Sequence, residues 1–187
     1  WFGALFLLAA ATGVPAAAPV SVFVEDLTWS ELRDRVRAGT TTLVIPIGGT
    51  EQNGPHMVLG KHNVRTRILA GRIARSLDNA LVAPVVAYVP EGSIEPPTSH
   101  MRFPGTITVP EATFEQVIAA AARCFRRHGF RDIVFLGDHG GYQKSLRAVA
   151  ERLNKEWAAT AARAHAIDEY YRVLDTTYAQ ALRNRGY

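Results

Sequence analysis

Two apolar runs, each ending in a polar loop rich in glycine, constrain the fold of this chain more than any other feature. Residues 42–47 read Thr-Leu-Val-Ile-Pro-Ile and lead into a loop with glycines at positions 48, 49, 54 and 60. Residues 132–137 form a second apolar run, which continues as Asp-His-Gly-Gly-Tyr. Short apolar runs bounded by glycine predict buried strands. If the strands are parallel neighbours, their two loops meet at one edge of the sheet.

Acidic and imidazole side chains are concentrated in these two loops. The first loop holds Glu51, His56 and His62, and the second holds Asp138 and His139. Carboxylate oxygen and imidazole nitrogen are the donors that zinc and manganese take in proteins. We predict that Glu51, His62 and His139 bind a metal ion, a set of three ligands that leaves a position for water. For the first loop taken alone, a polar turn whose histidines bond only to backbone is an equal alternative.

Helical patterns alternate with the strand-like runs along the chain. Thr28 followed by Glu31, and Thr108 followed by Glu111, are typical of capping boxes at helix starts. A helix is predicted over residues 63–77, with Val64, Ile68, Leu69, Ile73 and Leu77 directed inward, and another after residue 141. Further strands are predicted over residues 81–89 and 163–168. This alternation predicts an α/β fold, a three-layer α/β/α sandwich with a mostly parallel central sheet.

The longest loop covers residues 90–106 and is stiffened by prolines. Long ordered loops in compact domains are usually functional. His100, Glu95 and Arg102 are candidates to face a ligand from this loop. The alternative for His100 is that it only anchors the loop.

Several motifs in order resemble the creatininase (creatinine amidohydrolase) family of metal-dependent amidohydrolases. The resemblance extends from about residue 42 to residue 157, and its motifs lie at residues 48–56, 59–60, 103–106 and 137–141. It implies metal-ligand roles for Glu51 and His139, a zinc or manganese cofactor and a small amide substrate. It further implies that His100 and Phe103 contact this substrate, that the protein forms a homo-oligomer, and that the reaction is hydrolysis of a cyclic or linear amide C–N bond.

The chain departs from the family pattern at three positions. A histidine usual in the family is replaced by Asn53, the usual aspartate by His62, and a glutamate found in some members by Gly141. Loss of a bridging carboxylate favours one metal ion over two. Asn53 then offers a weak amide oxygen beside the ion or the substrate. The general base stays open among Asp138, His56 and an acidic residue that family members carry further along the chain.

Composition excludes some classes of function. The chain has 187 residues, 48% of them hydrophobic, which suits one globular domain. The formal net charge is only +4 and the basic residues are dispersed, so nucleic-acid binding is not expected. The single cysteine, Cys124, is predicted to be a small core residue.

Residues 1–18 differ from the rest of the chain. They form an uncharged apolar run followed by an Ala-x-Ala pattern, which predicts a signal peptide whose start is missing. The run is shorter than the roughly 20 residues of a membrane span, so no stable span is expected. An uncleaved anchor or a buried helix are the alternatives. Residues 19–187 are then a creatininase-like α/β domain, expected to be truncated at its C-terminus, in a periplasmic or secreted protein.

Other function classes are weighed against the hydrolase. A non-catalytic protein with this fold and a degraded metal site is favoured by Asn53 and Gly141. A nucleotide-binding α/β protein is disfavoured because neither a Gly-x-Gly-x-x-Gly motif nor a complete phosphate-binding loop is present. A serine hydrolase is disfavoured because no Gly-x-Ser-x-Gly elbow is found.

Overall fold

A computed structural model describes residues 21–186, so the predicted signal peptide at residues 1–18 lies outside the described residues. The strands are β1 (Thr42–Ile47), β2 (Ala80–Val82), β3 (Asp132–Gly137) and β4 (Arg163–Ala166). The helices are α1 (Trp29–Arg37), α2 (Lys61–Leu77), α3 (Glu111–Arg127), α4 (Gln143–Glu156), α5 (Glu169–Val173) and α6 (Ala179–Arg183). Among the described helices, none combines the length and apolarity that crossing a bilayer requires.

The strands form a parallel sheet in the order β2-β1-β3-β4. Helix α2 packs against β1 and β2, whereas α3 and α4 pack against each other and against β3. Right-handed crossovers place these two sets of helices on opposite faces of the sheet. The predicted three-layer α/β/α architecture is confirmed.

The order of the strands creates a switch point between β1 and β3. The chain leaves β1 toward one edge of the sheet and leaves β3 toward the other. A crevice opens where the two connections diverge, beyond the carboxyl ends of the strands, and this crevice is where open α/β sheets bind their ligands.

The core lies between the sheet and the helices. Strands β1 and β3 are buried along most of their length, as expected for parallel strands covered on both faces. Helix α4 and the residues that flank it supply a buried stripe, and its members are all fully enclosed: Tyr142, Leu146, Val149, Leu153 and Trp157.

Helix α1 begins as the sequence predicts. The Thr28 hydroxyl accepts a hydrogen bond from the Glu31 amide, and the Glu31 carboxylate accepts one from the Thr28 amide. This reciprocal pair satisfies two amides that a helix start leaves without partners.

The second predicted capping box is wrong. Helix α3 has Pro110 before its first residue and no side-chain cap. The Thr108 hydroxyl instead accepts from the Glu91 amide and donates to the Gly92 carbonyl. Thr108 therefore ties down the long loop rather than the helix.

The inward face predicted for α2 is also wrong in part. Val64, Ile68 and Leu77 are each at least half exposed, whereas Leu69 and Ile73 are partly buried. The helix lies on the sheet through small residues, and it comes close enough for the Thr66 hydroxyl to donate to the Leu136 carbonyl at 3.3 Å. The remaining buried members of this face are His62, Ala70, Gly71 and Ala74. On α3, Cys124 is exposed rather than in the core, which is a further correction.

Candidate metal centre

The two central strands deliver their loops to the switch point side by side. Strands β1 and β3 run in register up to the pair Ile47 and Gly137. The buried Tyr142 hydroxyl joins the two strand ends, because it lies 2.7 Å from the Gly48 carbonyl and accepts from the Asp138 amide. The Glu51 loop and the Asp138–His139 turn are therefore held at a fixed separation.

Four side chains converge beyond these strand ends. Glu51, Glu91, His100 and His139 each offer one ligand atom, and these atoms lie within 4.8 Å of one another. Glu51 Oε2 is 3.3 Å from His100 Nε2 and 3.5 Å from His139 Nε2. His139 Nδ1 is 4.0 Å from Glu91 Oε1. Two carboxylates and two imidazoles at such distances are a suitable donor set for a divalent cation.

The buried oxygens of this group lack hydrogen-bond partners. Glu51 Oε2 and both carboxylate oxygens of Glu91 are enclosed and accept no hydrogen bond from any described residue. Leaving a buried carboxylate oxygen without a partner is costly, so a bound cation resolves an energetic deficit at this position. The residues present fit a divalent ion.

A glycine makes room for the Glu91 carboxylate. Gly49 has φ of 149°, and a Cβ atom built there would lie 2.8 Å from Glu91 Oε1. Any larger residue at position 49 would displace the Glu91 carboxylate from the group. The glycine-rich loop after β1 therefore shapes the site as well as turning the chain.

His62 contacts the Glu51 oxygen that does not face His100 and His139. Its Nε2 atom is 2.8 Å from Glu51 Oε1, and its Nδ1 atom is 2.7 Å from Asp138 Oδ2. Burial disfavours the charged imidazole, but hydrogen bonds to Asp138 and Glu51 outweigh that effect and raise the pKa of His62. The three predicted ligands, Glu51, His62 and His139, thus lie close together, although both ring nitrogens of His62 are hydrogen-bonded to carboxylates. The ligand role of His62 stays a prediction.

Asp138 is fully buried and surrounded by donors. Its carboxylate accepts hydrogen bonds from His62 Nδ1, from Arg65 Nε at 2.8 Å and from the Tyr170 hydroxyl. Burial alone raises the pKa of Asp138, but these three partners together lower it. A carboxylate with a lowered pKa and no solvent access is a weak proton acceptor. The geometry therefore does not favour the predicted role of Asp138 as general base.

The two carboxylates of the group have opposite charge preferences. Burial and the neighbouring Glu51 raise the pKa of Glu91 to about 9. Burial opposes ionisation of Glu51 too, but the hydrogen bond with His62, the neighbouring Glu91 and the nearby His139 outweigh it and lower the pKa of Glu51 to about 2. Without a cation the pair therefore keeps one proton at neutral pH. Burial lowers the pKa of His139, which favours the neutral imidazole that metals bind.

The remaining predicted residues surround this group. Asn53 donates to Glu51 Oε1 at 3.3 Å and accepts from Lys61, so it helps to orient the Glu51 carboxylate. Phe103 is about half exposed, in the same loop as His100. His56 is exposed and is not a member of the four-residue group. The substrate-binding role of Asn53 and Phe103 and the catalytic role of His56 stay predictions.

Glu91 was missed as a candidate in the sequence. It follows Val89, which forms an isolated parallel bridge with Thr108, so it too lies just beyond a short extended segment. An acidic residue shortly after an apolar run also marked the other two loops, where Glu51 follows Ile47 and Asp138 follows Gly137. The proline at position 90 and the length of the loop obscured it.

Comparison with known proteins finds similar sequences and structures. The family model for creatinine amidohydrolase (creatininase) matches residues 25–185. Creatinine amidohydrolase from Pseudomonas putida is 34% identical over 126 residues, which are 67% of this chain and 47% of that protein. Mycofactocin precursor peptide peptidase from Mycolicibacterium smegmatis is 32% identical over 119 residues, which are 61% of this chain and 45% of that protein. The chain thus spans about half the length of the curated relatives it matches.

Solved structures show the same fold. A manganese form of creatininase superposes with a TM-score of 0.71 at 29% identity, covering 90% of this chain and 66% of that one. A further creatinine amidohydrolase structure gives a TM-score of 0.74 at 27% identity, with coverage of 89% and 65%.

Proposed function

Because the chain belongs to the creatinine amidohydrolase (creatininase) family, whose model covers residues 25–185, we propose that it is a metal-dependent amidohydrolase. Its reaction is hydrolysis of a C–N bond in a cyclic or linear amide. The observation that carries this proposal is the convergence of Glu51, Glu91, His100 and His139 on one point. The partnerless buried oxygens of Glu51 and Glu91 support it independently of family membership.

These four side chains would hold a zinc or manganese ion. Solved creatininases include a manganese form and a Zn–Zn form, and a mixed set of carboxylates and imidazoles suits either ion. When bound, such an ion lowers the pKa of a coordinated water to about 7 and polarises the amide carbonyl. The cofactor and the amide substrate are both parts of the proposal.

The protein must supply the proton acceptor for attack by water. His56 lies at the surface, and Asp138 already accepts from three donors. Glu91 lies in the group of four, and neither of its carboxylate oxygens accepts a hydrogen bond from a described residue. We therefore propose the ionised form of Glu91 as the proton acceptor. His100 is only partly buried, beside Gln52, and borders the entrance to the site.

Two of the matched relatives are named for amides, and the two amides differ in kind. One relative is named for creatinine, a small cyclic molecule, and another for a precursor peptide. Their shared chemistry is cleavage of a C–N bond, and that is the level at which we propose the substrate of this chain.

Metal content and turnover test the proposal together. We expect the purified full-length protein to carry about one zinc or manganese ion per chain and to hydrolyse a member of an amide panel that includes creatinine and short peptides. Glu51→Ala and His139→Ala should abolish both metal content and turnover, because each removes a central donor. Elemental analysis and amine release provide the measurements.

His128→Ala is the matched control, since it removes an exposed histidine at the end of α3. It should retain metal and activity. A fully active, metal-loaded Glu51→Ala/His139→Ala double variant would refute the proposal. A wild-type protein that binds metal but cleaves none of the panel would favour the non-catalytic binding protein instead.

Export and a homo-oligomeric state complete the proposal. Export rests on the apolar run at residues 1–18. Support for an oligomer comes from an apolar surface beside α2, which we call the α2 face. Its apolar and aromatic members are Met57, Val58, Val64, Ile68, Leu69 and Tyr170, and three basic side chains, Lys61, Arg65 and Arg72, lie among them. Contiguous exposed apolar surface of this kind is characteristic of interaction sites.

A further inference from the structure

A chain of hydrogen bonds leads from the edge of the protein to the free oxygen of Glu51. It starts with Arg65 and Tyr170, which both donate to the Asp138 carboxylate. Asp138 Oδ2 lies 2.7 Å from His62 Nδ1, and His62 Nε2 lies 2.8 Å from Glu51 Oε1. The other oxygen of the Glu51 carboxylate, Oε2, faces His100 and His139.

The direction of each bond is fixed by chemistry. Arg65 can only donate, so the ionised Asp138 is the acceptor. His62 Nδ1 must then carry a proton, because a carboxylate without a proton cannot donate to it. The ring is thereby oriented with Nε2 toward Glu51 Oε1, which leaves Glu51 Oε2 free to point into the group of four. A second residue behind a metal ligand typically sets its orientation in this way.

Arg65 and Tyr170 reach Asp138 from different parts of the chain. Arg65 is on α2, whereas Tyr170 is on α5, which follows β4 at the far edge of the sheet. Asp168, directly before α5, forms an ion pair with Arg147 of α4 at 3.2 Å, which connects the start of α5 to α4. Neither Arg65 nor Tyr170 is a member of the group of four.

We propose that Arg65 and Tyr170 are positioning residues, which clamp the Asp138 carboxylate so that His62 holds Glu51 with Oε2 directed at the metal. The inference rests on the proposed function for the presence of the metal. The orientation of His62, however, is a property of the protein alone. It can therefore be tested with and without the ion.

The first measurement is proton NMR of metal-free protein labelled with ¹⁵N in its histidines. The His62 Nδ1 proton, assigned by its absence in His62→Gln, should give a downfield signal because it bonds to a buried carboxylate. We expect Asp138→Asn to remove this signal, and Tyr170→Phe and Arg65→Gln to shift it. Arg72→Lys on α2 and Tyr178→Phe, which changes an exposed tyrosine after α5, are the matched controls and should leave it unchanged.

The second measurement is zinc affinity by competition with a chromophoric chelator. Loss of a residue behind a metal ligand typically weakens binding about 10- to 100-fold. We expect a loss of this order for Asp138→Asn and about tenfold for Tyr170→Phe and Arg65→Gln. Arg65→Lys, which keeps the charge and one donor, should recover part of the Arg65→Gln loss.

Two outcomes would overturn the inference. In one, Tyr170→Phe and Arg65→Gln lower thermal stability but leave both the His62 signal and the zinc affinity at wild-type values; the two residues would then only neutralise a buried charge. In the other, the His62 signal is absent from the wild-type spectrum. If wild-type protein binds no zinc, the proposed function fails. The NMR measurement still shows whether Arg65 and Tyr170 set the orientation of His62.

Discussion

Glu51 and Glu91 are two buried acids that face the same point with opposite charge preferences. Burial and repulsion by Glu51 raise the pKa of Glu91 to about 9. In spite of burial, the hydrogen bond with His62 and the nearby His139 lower the pKa of Glu51 to about 2. Two like charges this close in a buried site cannot both be stable without a cation. Metal binding and proton release are therefore coupled at this pair.

Stability of the metal-free protein should depend on the proton of Glu91. Between its ordinary pKa of 4.5 and about 9, the folded state binds this proton and the unfolded state does not. The contribution of Glu91 to the free energy of unfolding therefore falls as pH rises through that window, by up to about 1.4 kcal/mol per pH unit. Glu91→Gln mimics the protonated acid, so its stability relative to wild type should increase from pH 5 to pH 9.

Urea unfolding in the presence of a chelator measures this difference. Glu95→Gln, an exposed change in the same loop, is the control and should follow wild type at each pH. A constant offset between Glu91→Gln and wild type across this range would mean that Glu91 is already ionised in the folded protein.

Individual residues were predictable from the sequence where a strand or the long loop marked them. Glu51 and His139 were found because each lies in a loop that follows an apolar run, and His100 was found because it lies in the longest loop. Glu91 was missed because its strand-like segment is a single bridge. The position of His62, between two carboxylates, depends on contacts between residues 51, 62 and 138, which no local pattern encodes.

At the scale of elements, the turn after β1 packs closely against the first turn of α2. A Cβ atom at Gly48 would lie 2.2 Å from Asn63 Oδ1 and 2.9 Å from the Asn63 Cα atom. Asn63 in turn accepts from the Gly49 amide and donates to Thr50. This contact fixes the loop that carries Glu51 against the helix that carries His62.

Gly48→Ala should therefore disturb both stability and the metal centre. Overpacking typically costs about 1–3 kcal/mol, and here the Asn63 backbone is among the atoms that must move. We expect a loss of this size in urea unfolding, together with weaker zinc binding. Gly60→Ala is the matched control, since its nearest neighbour would be 4.0 Å away. Equal stability and zinc affinity in the two variants would contradict this account.

The positions of the helices and strands were more predictable from the sequence than the side of each helix that packs against the sheet. Strands β1, β3 and β4 and helices α1 and α4 lie where hydrophobic patterns place them. The orientation of α2 was predicted wrongly because large apolar residues were assumed to face the sheet. The close approach of the helix selects small residues such as Ala70 and Ala74 for that face and leaves Val64 and Ile68 outside.

At the scale of the whole molecule, the α2 face is the surface on which the proposed homo-oligomer rests. It forms a groove of about 500 Å³ in which Val58 and Ile68 are more than half exposed. Covering such side chains provides roughly 25 cal/mol per Å² of apolar surface removed from water. An interface there would explain why the larger residues of α2 point away from the sheet.

Ile68→Asp should shift the full-length protein toward a smaller species, because association would have to remove the added carboxylate from water. Light scattering coupled to size-exclusion chromatography measures the mass. Val117→Asp is the control, since it changes a comparably exposed residue on α3. A mass unaffected by Ile68→Asp would exclude the α2 face as the interface.

The divergence of the chain at β1 and β3 has a mechanical consequence. The donors at positions 51 and 139 come from segments that leave the middle of the sheet in opposite directions, and those at positions 91 and 100 come from the loop after the edge strand β2. An ion bound by all four donors would cross-link these segments beyond the carboxyl ends of the central strands. Removing the ion with a chelator should therefore lower the melting temperature of the whole domain in a single transition. If free metal was present at about 100 times its Kd, the expected loss in the free energy of unfolding is about 2.7 kcal/mol.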